Sequence, residues 1–148
     1  MPKLYYASPR DLPLIEPAAG LKGRVVQADH ATMVIYDLAP KTIVESHKHE
    51  MEQFGVVVKG SLAMIIAGEQ RILTPGDTYR IPPGAAHGAR VFEEPTQVID
   101  VWAPQRTDLL KPVAVTEKSS ARRSPVMPRK GTGSIVAFVA HASQCGRD

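Results

Sequence analysis

The feature that most limits the fold of this 148-residue chain is a succession of short β-type segments between residues 20 and 109. The segments are rich in Val, Ile, Tyr and Thr, and glycine or proline ends nearly all of them. They cover residues 24–28, 32–38, 53–58, 62–67, 78–81, 86–92 and 97–103. No segment has a sustained helical period with caps, and residues 8–12 form at most one turn. This spacing predicts an all-β sandwich or barrel.

The composition changes near Lys111. Residues 117–133 consist mainly of Ser, Arg, Lys, Pro, Gly and Thr, a mixture that buries too little apolar surface to offset the entropy of ordering it. We therefore expect one domain over residues 1–110, with an N-terminal arm over 1–20, and a poorly ordered tail over 111–148. The tail holds 7 of the 18 Lys and Arg but only 2 of the 15 Asp and Glu. The net charge of +3 therefore belongs to the tail, and the domain itself does not indicate a nucleic-acid partner.

The sequence is not expected to carry a membrane span or a secretory signal. No run approaches the roughly 18 apolar residues that a membrane span needs, and the proline-rich start lacks the basic and apolar regions of a secretory signal. The single Cys145 cannot form an intrachain disulfide or a thiolate zinc site. We expect a cytoplasmic protein without a membrane partner.

Several of the segments are apolar on both faces, as in residues 54–58 and 62–67. A sheet that exposes one face to water should instead alternate apolar and polar residues. The outer face is therefore expected to be covered, most simply in a homodimer. Packing by the N-terminal segment is the alternative.

A histidine cluster is the first candidate for chemistry. His47 and His49 lie two residues apart, Gln53 follows four residues later, and His87 comes much further along the chain. Residues i and i+2 of a strand point to one side, so the first two imidazoles can enter one cavity. Imidazole nitrogens and an amide oxygen suit one divalent metal such as Zn, Ni, Fe, Mn or Co, and do not choose among them. Taken alone, the two neighbouring histidines could equally be solvated surface residues.

The spacing around these residues resembles the cupin superfamily. His47-Lys-His49, three residues, Gln53, six residues and Gly60 match the first cupin motif, whereas Gly76, five residues, Pro82-Pro-Gly84, two residues and His87 match the second. The resemblance implies a jelly-roll barrel, or double-stranded β-helix, with His47, His49, Gln53 and His87 as metal ligands. Gln53 replaces the usual Glu, and a neutral ligand leaves the metal its full charge, which weighs against O₂ activation. We also expect Gly60 and Gly76 to occupy turns that need a positive φ or a tight reversal.

A third cluster runs from Asp100 to Leu110, with Trp102 and Arg106 within it. Together with the first motif it resembles the KdgF-type cupins of pectin and alginate degradation, over roughly residues 20–110. That resemblance implies ring opening of 4,5-unsaturated uronate monosaccharides, with Asp100, Trp102 and Arg106 in substrate chemistry. Asp100 is then expected to carry protons, Arg106 to bind the substrate carboxylate, and Trp102 to pack on the sugar ring. The structural alternative is an Asp100–Arg106 ion pair beside a core tryptophan.

Two other functions stay open for this sequence. One is a non-catalytic cupin that binds a sugar acid, and the other is a metal-dependent cupin oxygenase or isomerase with another small-molecule substrate. Arg80 and Arg90 flank the second motif and are further candidates for substrate binding, although a solvated face would also place arginines there.

Overall fold

A computed structural model of the chain describes residues 5–110, and the predicted tail, Cys145 and the first four residues of the arm lie outside this range. One 3₁₀ turn, Pro9–Asp11, precedes ten strands. In chain order the strands are β1 Leu14–Ala18, β2 Leu21–Gln27, β3 Thr32–Leu38, β4 Ile43–His47, β5 Glu52–Lys59, β6 Leu62–Ile66, β7 Glu69–Leu73, β8 Thr78–Ile81, β9 His87–Val91 and β10 Thr96–Ala103. The prediction of an all-β fold is confirmed.

The strands form two sheets whose pairings are all antiparallel within residues 5–110. One sheet has six strands in the order β1-β2-β3-β10-β5-β8, and the other has four in the order β4-β9-β6-β7. Residues of both sheets share one hydrophobic core, in which Val34, Val91, Leu62 and Ile81 are at most 1% exposed. Strand β10 buries every second residue, as expected for a strand with one face on a core.

Each of the seven predicted segments overlaps one strand, but β1, β4 and β7 were missed. All three are edge strands of their sheets. An edge strand is paired on one side only and tolerates polar residues and proline, as in the Glu-Gln-Arg-Ile-Leu sequence of β7 and Pro17 in β1. These three strands lack the β-type run by which the others are recognised, whereas β8, the fourth edge strand, was predicted from its Thr-Tyr-Arg-Ile sequence.

Glycines of the two motifs occupy the predicted turns. Gly60 has a φ of 79° and Gly76 a φ of 94°, in the left-handed region where a side chain is strained. Next to Gly76, the Asp77 amide donates to the Thr74 carbonyl at 2.9 Å, which closes the turn between β7 and β8. The turn at Gly60 leads into β6 and the turn at Gly76 leads into β8, so each turn sets the direction of the strand that follows it.

The outer face of the six-stranded sheet carries a row of apolar residues. Register pairs Val26 with Met33, Met33 with Val101, and Val101 with Phe54. Phe54 is 45% exposed and Val58, on the same strand, is 41% exposed. Strand β1 extends the sheet at its edge and leaves Phe54 and Val58 uncovered among the described residues. Coverage of this face by a homodimer stays a prediction.

Across residues 5–110, none of the helical structure has the length and hydropathy that crossing a bilayer requires. The expected cytoplasmic location stays a prediction.

Candidate metal centre

Three histidines meet where β4 ends and β9 begins. His47 is the last residue of β4 and pairs in register with His87, the first residue of β9. Ring centroids lie 4.3 Å apart for His47 and His87, 4.9 Å for His49 and His87, and 5.8 Å for His47 and His49. One ring nitrogen from each histidine lies within 4.8 Å of the others, which is a spacing that could hold a metal ion.

The route to this arrangement differs from the one predicted. We expected His47 and His49 to lie on one strand with the same parity, but β4 ends at His47 and His49 lies in the following loop. The loop turns the His49 ring toward the site, and the His49 Nδ1–H donates to the Met51 carbonyl at 2.9 Å. The two imidazoles therefore converge through a loop rather than through strand geometry.

Backbone carbonyls hold all three imidazoles in one tautomer. Each Nδ1 lies within hydrogen-bond distance of a carbonyl oxygen and must donate its proton to it. The distances are 2.8 Å for His47 to Glu45, 2.9 Å for His49 to Met51 and 2.9 Å for His87 to Ala85. The Nε2 lone pairs are consequently left for a cation.

His87 gives the clearest sign of a missing partner. Its side chain is buried, and its Nε2 has no hydrogen-bond partner in the described part of the chain. Burial lowers the pKa of the His87 imidazole to about 4, although the hydrogen bond to Ala85 acts in the opposite direction. The ring is therefore neutral near pH 7, as a metal ligand must be.

Gln53 supplies a fourth donor atom beside the histidines. Its Oε1 lies 3.0 Å from His49 Nε2 and accepts a hydrogen bond from Trp102 Nε1 at 3.0 Å. The indole N–H also lies 3.4 Å from His49 Nε2. Because His49 donates from Nδ1, its Nε2 and the amide oxygen are two acceptors facing each other, an arrangement that a shared cation would stabilise. The four predicted ligands thus fit a divalent metal.

Asp100 lies next to this group and is 6% exposed. Its Oδ1 accepts a hydrogen bond from the Tyr79 hydroxyl at 2.6 Å, and the carboxylate also accepts one from the Gln53 side chain. Burial raises the pKa of the Asp100 carboxyl to about 6, although both hydrogen bonds act in the opposite direction. Burial and the nearby Asp100 also raise the pKa of the Tyr79 hydroxyl, which therefore stays protonated and donates.

Strand register explains how Tyr79 reaches Asp100. Gly55 on β5 pairs with Asp100 on β10 and with Tyr79 on β8, so the three form one row across the sheet. A Cβ at Gly55 would lie 2.6 Å from both Asp100 Oδ1 and Tyr79 Cζ. The missing side chain opens the path over which the tyrosine reaches the carboxylate. Sequence reasoning missed Tyr79, because nothing local to residues 78–81 indicates which strands flank β5.

Trp102 and Arg106 lie beside this group with different partners from those expected. Trp102 is 3% exposed, and its N–H donates to Gln53, so its ring lies in the core beneath the site. Arg106 makes a two-pronged ion pair with Asp108, at 3.1 Å from Nε and 2.5 Å from Nη2. Its guanidinium carbon also lies 5.3 Å from the centre of the Trp102 ring. The alternative Asp100–Arg106 pair is not formed.

Two further arginines and the open cleft lie away from the histidines. Arg80 pairs with Glu52 at 3.5 Å on the surface, which fits the solvated-face interpretation. Arg90 is half-buried and lies over the Phe92 ring. A cleft of about 850 Å³ is lined by residues of β6, β7 and β8, among them Tyr79, but by none of the three histidines.

Comparison with known proteins gives consistent results. Residues 34–102 match the family model of the cupin domain. The chain is 34% identical over 102 residues to the pectin degradation protein KdgF of Dickeya dadantii, covering 68% of this chain and 93% of that protein. It is 36% identical over 90 residues to the H2HPP isomerase of Bacillus subtilis, covering 60% of this chain but 36% of that protein.

A solved structure extends the likeness to three dimensions. The structure of KdgF from a Halomonas species superposes with a TM-score of 0.67 at 27% identity, covering 73% of this chain and all of that one. The expected cupin barrel is confirmed by this superposition and by the family model. A chain that is 34% identical to a KdgF over 93% of that protein's length belongs to the cupin superfamily, in its KdgF-type group.

Proposed function

We propose that this protein opens the ring of 4,5-unsaturated uronate monosaccharides, giving 5-keto-4-deoxyuronates in the breakdown of pectin or alginate. The observation that carries the proposal is the convergence of uncharged donor atoms beside a buried carboxyl group: three imidazoles and the Gln53 oxygen next to Asp100. Similarity to the pectin degradation protein of Dickeya dadantii supports the substrate class.

His47, His49, His87 and Gln53 would hold one divalent transition metal. When bound, such a metal would act as a Lewis acid toward oxygen atoms of the substrate. The chain supplies no charged ligand in this set, and the backbone carbonyls that hold the imidazoles keep their Nε2 lone pairs directed at one point.

The reaction is an isomerisation in which protons are moved and none is consumed. The C1 hydroxyl loses a proton as the C1–O5 bond breaks, which leaves an aldehyde at C1 and an enolate across C4 and C5. The proton then adds at C4, and the enolate becomes the C5 ketone. We assign proton transfer to Asp100, because a carboxyl group whose pKa is about 6 can both accept and return a proton near neutral pH.

Arg106 and Trp102 complete the proposed site. The Arg106 guanidinium is bound by Asp108 through two N–H groups, a geometry that a substrate carboxylate could share or replace. Trp102 lies between Arg106 and Gln53, and any contact of its ring with the sugar would be confined to the small exposed part.

We also propose that two copies associate through the outer face of the six-stranded sheet. The row from Val26 to Phe54 offers an exposed apolar surface, and a two-fold dimer would bury this same surface on both copies.

Purified protein loaded with metal is mixed with unsaturated galacturonate or guluronate from a polysaccharide lyase, and the loss of ultraviolet absorbance from the double bond is followed. We expect a rate above the spontaneous one, and its loss in His87→Ala. If metal-loaded protein leaves the reaction at its spontaneous rate, the proposed ring-opening activity is rejected. Tight binding without turnover would indicate a sugar-acid-binding cupin, and oxygen consumption by an iron-loaded sample would indicate an oxygenase.

A further inference from the structure

The orientation of the Gln53 amide decides whether its oxygen or its nitrogen faces the three histidines. The oxygen and nitrogen ends of an amide are nearly equal in size, so packing alone does not distinguish them. Only the oxygen can bind a cation, whereas an amide nitrogen in its place would direct two N–H groups at it. Hydrogen-bond partners must therefore select the orientation.

One partner acts on the oxygen end. Trp102 Nε1 lies 3.0 Å from Gln53 Oε1, and an indole nitrogen can donate but cannot accept. The indole thus disfavours the flipped amide, in which two donors would face each other. Its N–H is also 3.4 Å from His49 Nε2, so the donor is shared and does not settle the orientation by itself.

The second partner acts on the nitrogen end. Gln53 lies two residues from Gly55, the residue that pairs with Asp100, so the buried Gln53 and Asp100 side chains are diagonal neighbours on one face of the sheet. The Asp100 carboxylate accepts a hydrogen bond from the Gln53 side chain, whose only donor is the amide nitrogen. Tyr79 donates to Asp100 Oδ1 at 2.6 Å from the opposite side, across the gap left by Gly55. An ionised carboxylate accepts at both oxygens, so it can hold Tyr79 and Gln53 at once.

We propose that Asp100, held by the Tyr79 hydroxyl, is a positioning residue that keeps the Gln53 amide oxygen directed at the three histidines. The inference rests on the metal site of the proposed function but not on the reaction. It assigns to Tyr79 a part in metal affinity, although its hydroxyl contacts none of the histidines in the described structure.

The test measures Co²⁺ affinity in the full chain, by titration in competition with a chelator of known affinity. In Asp100→Asn, the Tyr79 hydroxyl, which is a better donor than acceptor, is expected to keep the oxygen of the new amide, so the asparagine NH₂ group faces Gln53 and turns the Gln53 oxygen away from the site. We expect Co²⁺ affinity to fall roughly ten- to a hundredfold, as for the loss of other outer partners of metal ligands. Parent-like affinity in Asp100→Asn overturns the proposal.

Two double variants separate orientation from damage to the fold. In Asp100→Asn with Gln53→Glu, donor and acceptor are exchanged, and we expect Co²⁺ affinity to return to within a fewfold of the parent. In Asp100→Asn with Tyr79→Phe, the asparagine is free to turn its oxygen to Gln53, so removing the hydroxyl should strengthen binding. Tyr36→Phe in the Asp100→Asn background is the matched control, because Tyr36 is a buried tyrosine on the neighbouring β3 and should give no recovery.

Thermal melting establishes which variants are folded. A folded exchange variant that stays as weak as Asp100→Asn overturns the proposal. If the exchange variant does not fold, the Tyr79→Phe double variant decides in the same way. Ring opening is measured separately. If the exchange variant binds Co²⁺ tightly but opens the ring slowly, Asp100 both positions Gln53 and transfers protons. If it binds Co²⁺ tightly and opens the ring at the full rate, Asp100 positions Gln53 but does not transfer protons.

Discussion

Gly55→Ala is the change that tests most sharply how the sheet builds the site. The new Cβ would lie 2.5 Å from the Ile99 carbonyl oxygen and 2.6 Å from both Asp100 Oδ1 and Tyr79 Cζ. The carbonyl belongs to the paired strand β10 and cannot move away without breaking the ladder, so the clash should be relieved by displacing Asp100 and Tyr79. Overpacking of this kind costs about 1–3 kcal/mol. Loss of a hydrogen bond to a charged group adds about 1.5–3 kcal/mol.

A smaller effect opposes these losses. Alanine reduces the entropy of the unfolded chain, which stabilises the folded protein by about 0.4–1 kcal/mol. We expect the free energy of unfolding to fall by about 1.5–5.5 kcal/mol. At about 4 °C for each kcal/mol, this corresponds to a melting temperature lower by about 6–22 °C. Co²⁺ affinity should fall as well, because Asp100 no longer holds Gln53.

Gly23→Ala is the matched control, measured by the same melting and Co²⁺ titration. Its Cβ would meet only side-chain atoms, at 2.5 Å from Val34 Cγ1 and 2.7 Å from Tyr36 Cε1. Both side chains are buried, so this alanine is also overpacked, but it meets no ladder carbonyl and none of the site's hydrogen-bonding atoms among its nearest neighbours. The control can therefore lose stability too but should keep its Co²⁺ affinity. A Gly55→Ala protein that melts within 2 °C of the parent and binds Co²⁺ equally well would refute the reasoning.

Three further predictions concern the metal and the outer face. Trp102→Phe removes the indole donor to Gln53, so Co²⁺ affinity measured by chelator competition should fall about tenfold; unchanged affinity would contradict the role of the indole. Metal at a hundred times its dissociation constant should stabilise the folded protein by about 2.7 kcal/mol, seen as a rise in melting temperature that a chelator reverses. His87→Ala should abolish the rise, whereas His30→Ala, at an exposed histidine in the bend between β2 and β3, should keep it. Phe54→Lys places a charge in the apolar face, so light scattering should report monomers in place of dimers, and a parent protein that is already monomeric would contradict the proposed dimer.

How much of the fold could be predicted depends on where each strand lies in its sheet. Central strands such as β3 and β10 are apolar because both neighbours and the core surround them, and their sequences indicate their structure. The edge strands β4 and β7 have no such requirement, so hydrophobic pattern alone does not reveal them. The order of strands within each sheet is set by pairings between distant residues, which local patterns do not encode.

The same division applies to the site. The spacing of the two motifs was sufficient to group the three histidines, because the turns at Gly60 and Gly76 and the β4–β9 pairing bring these segments together. The contact between Tyr79 and Asp100 depends on the register of three strands and on one missing side chain between them. Nothing within the tyrosine's own strand encodes that register. Arg106 pairs with Asp108 and not with Asp100. Both carboxylates are near Arg106 in the sequence, and residue spacing alone does not decide between them.

The central claim is that ring opening depends on a metal held by these four side chains. Metal-free protein is titrated with one metal ion at a time, and the rate of ultraviolet absorbance loss from unsaturated uronate is plotted against the amount of metal bound. The account predicts that, for an activating metal, the catalysed rate rises in proportion to occupancy, saturates at one metal per chain and returns to the spontaneous rate on chelation. A catalysed rate that is independent of bound metal, or a metal-saturated protein no faster than the spontaneous reaction with every metal tried, would contradict it.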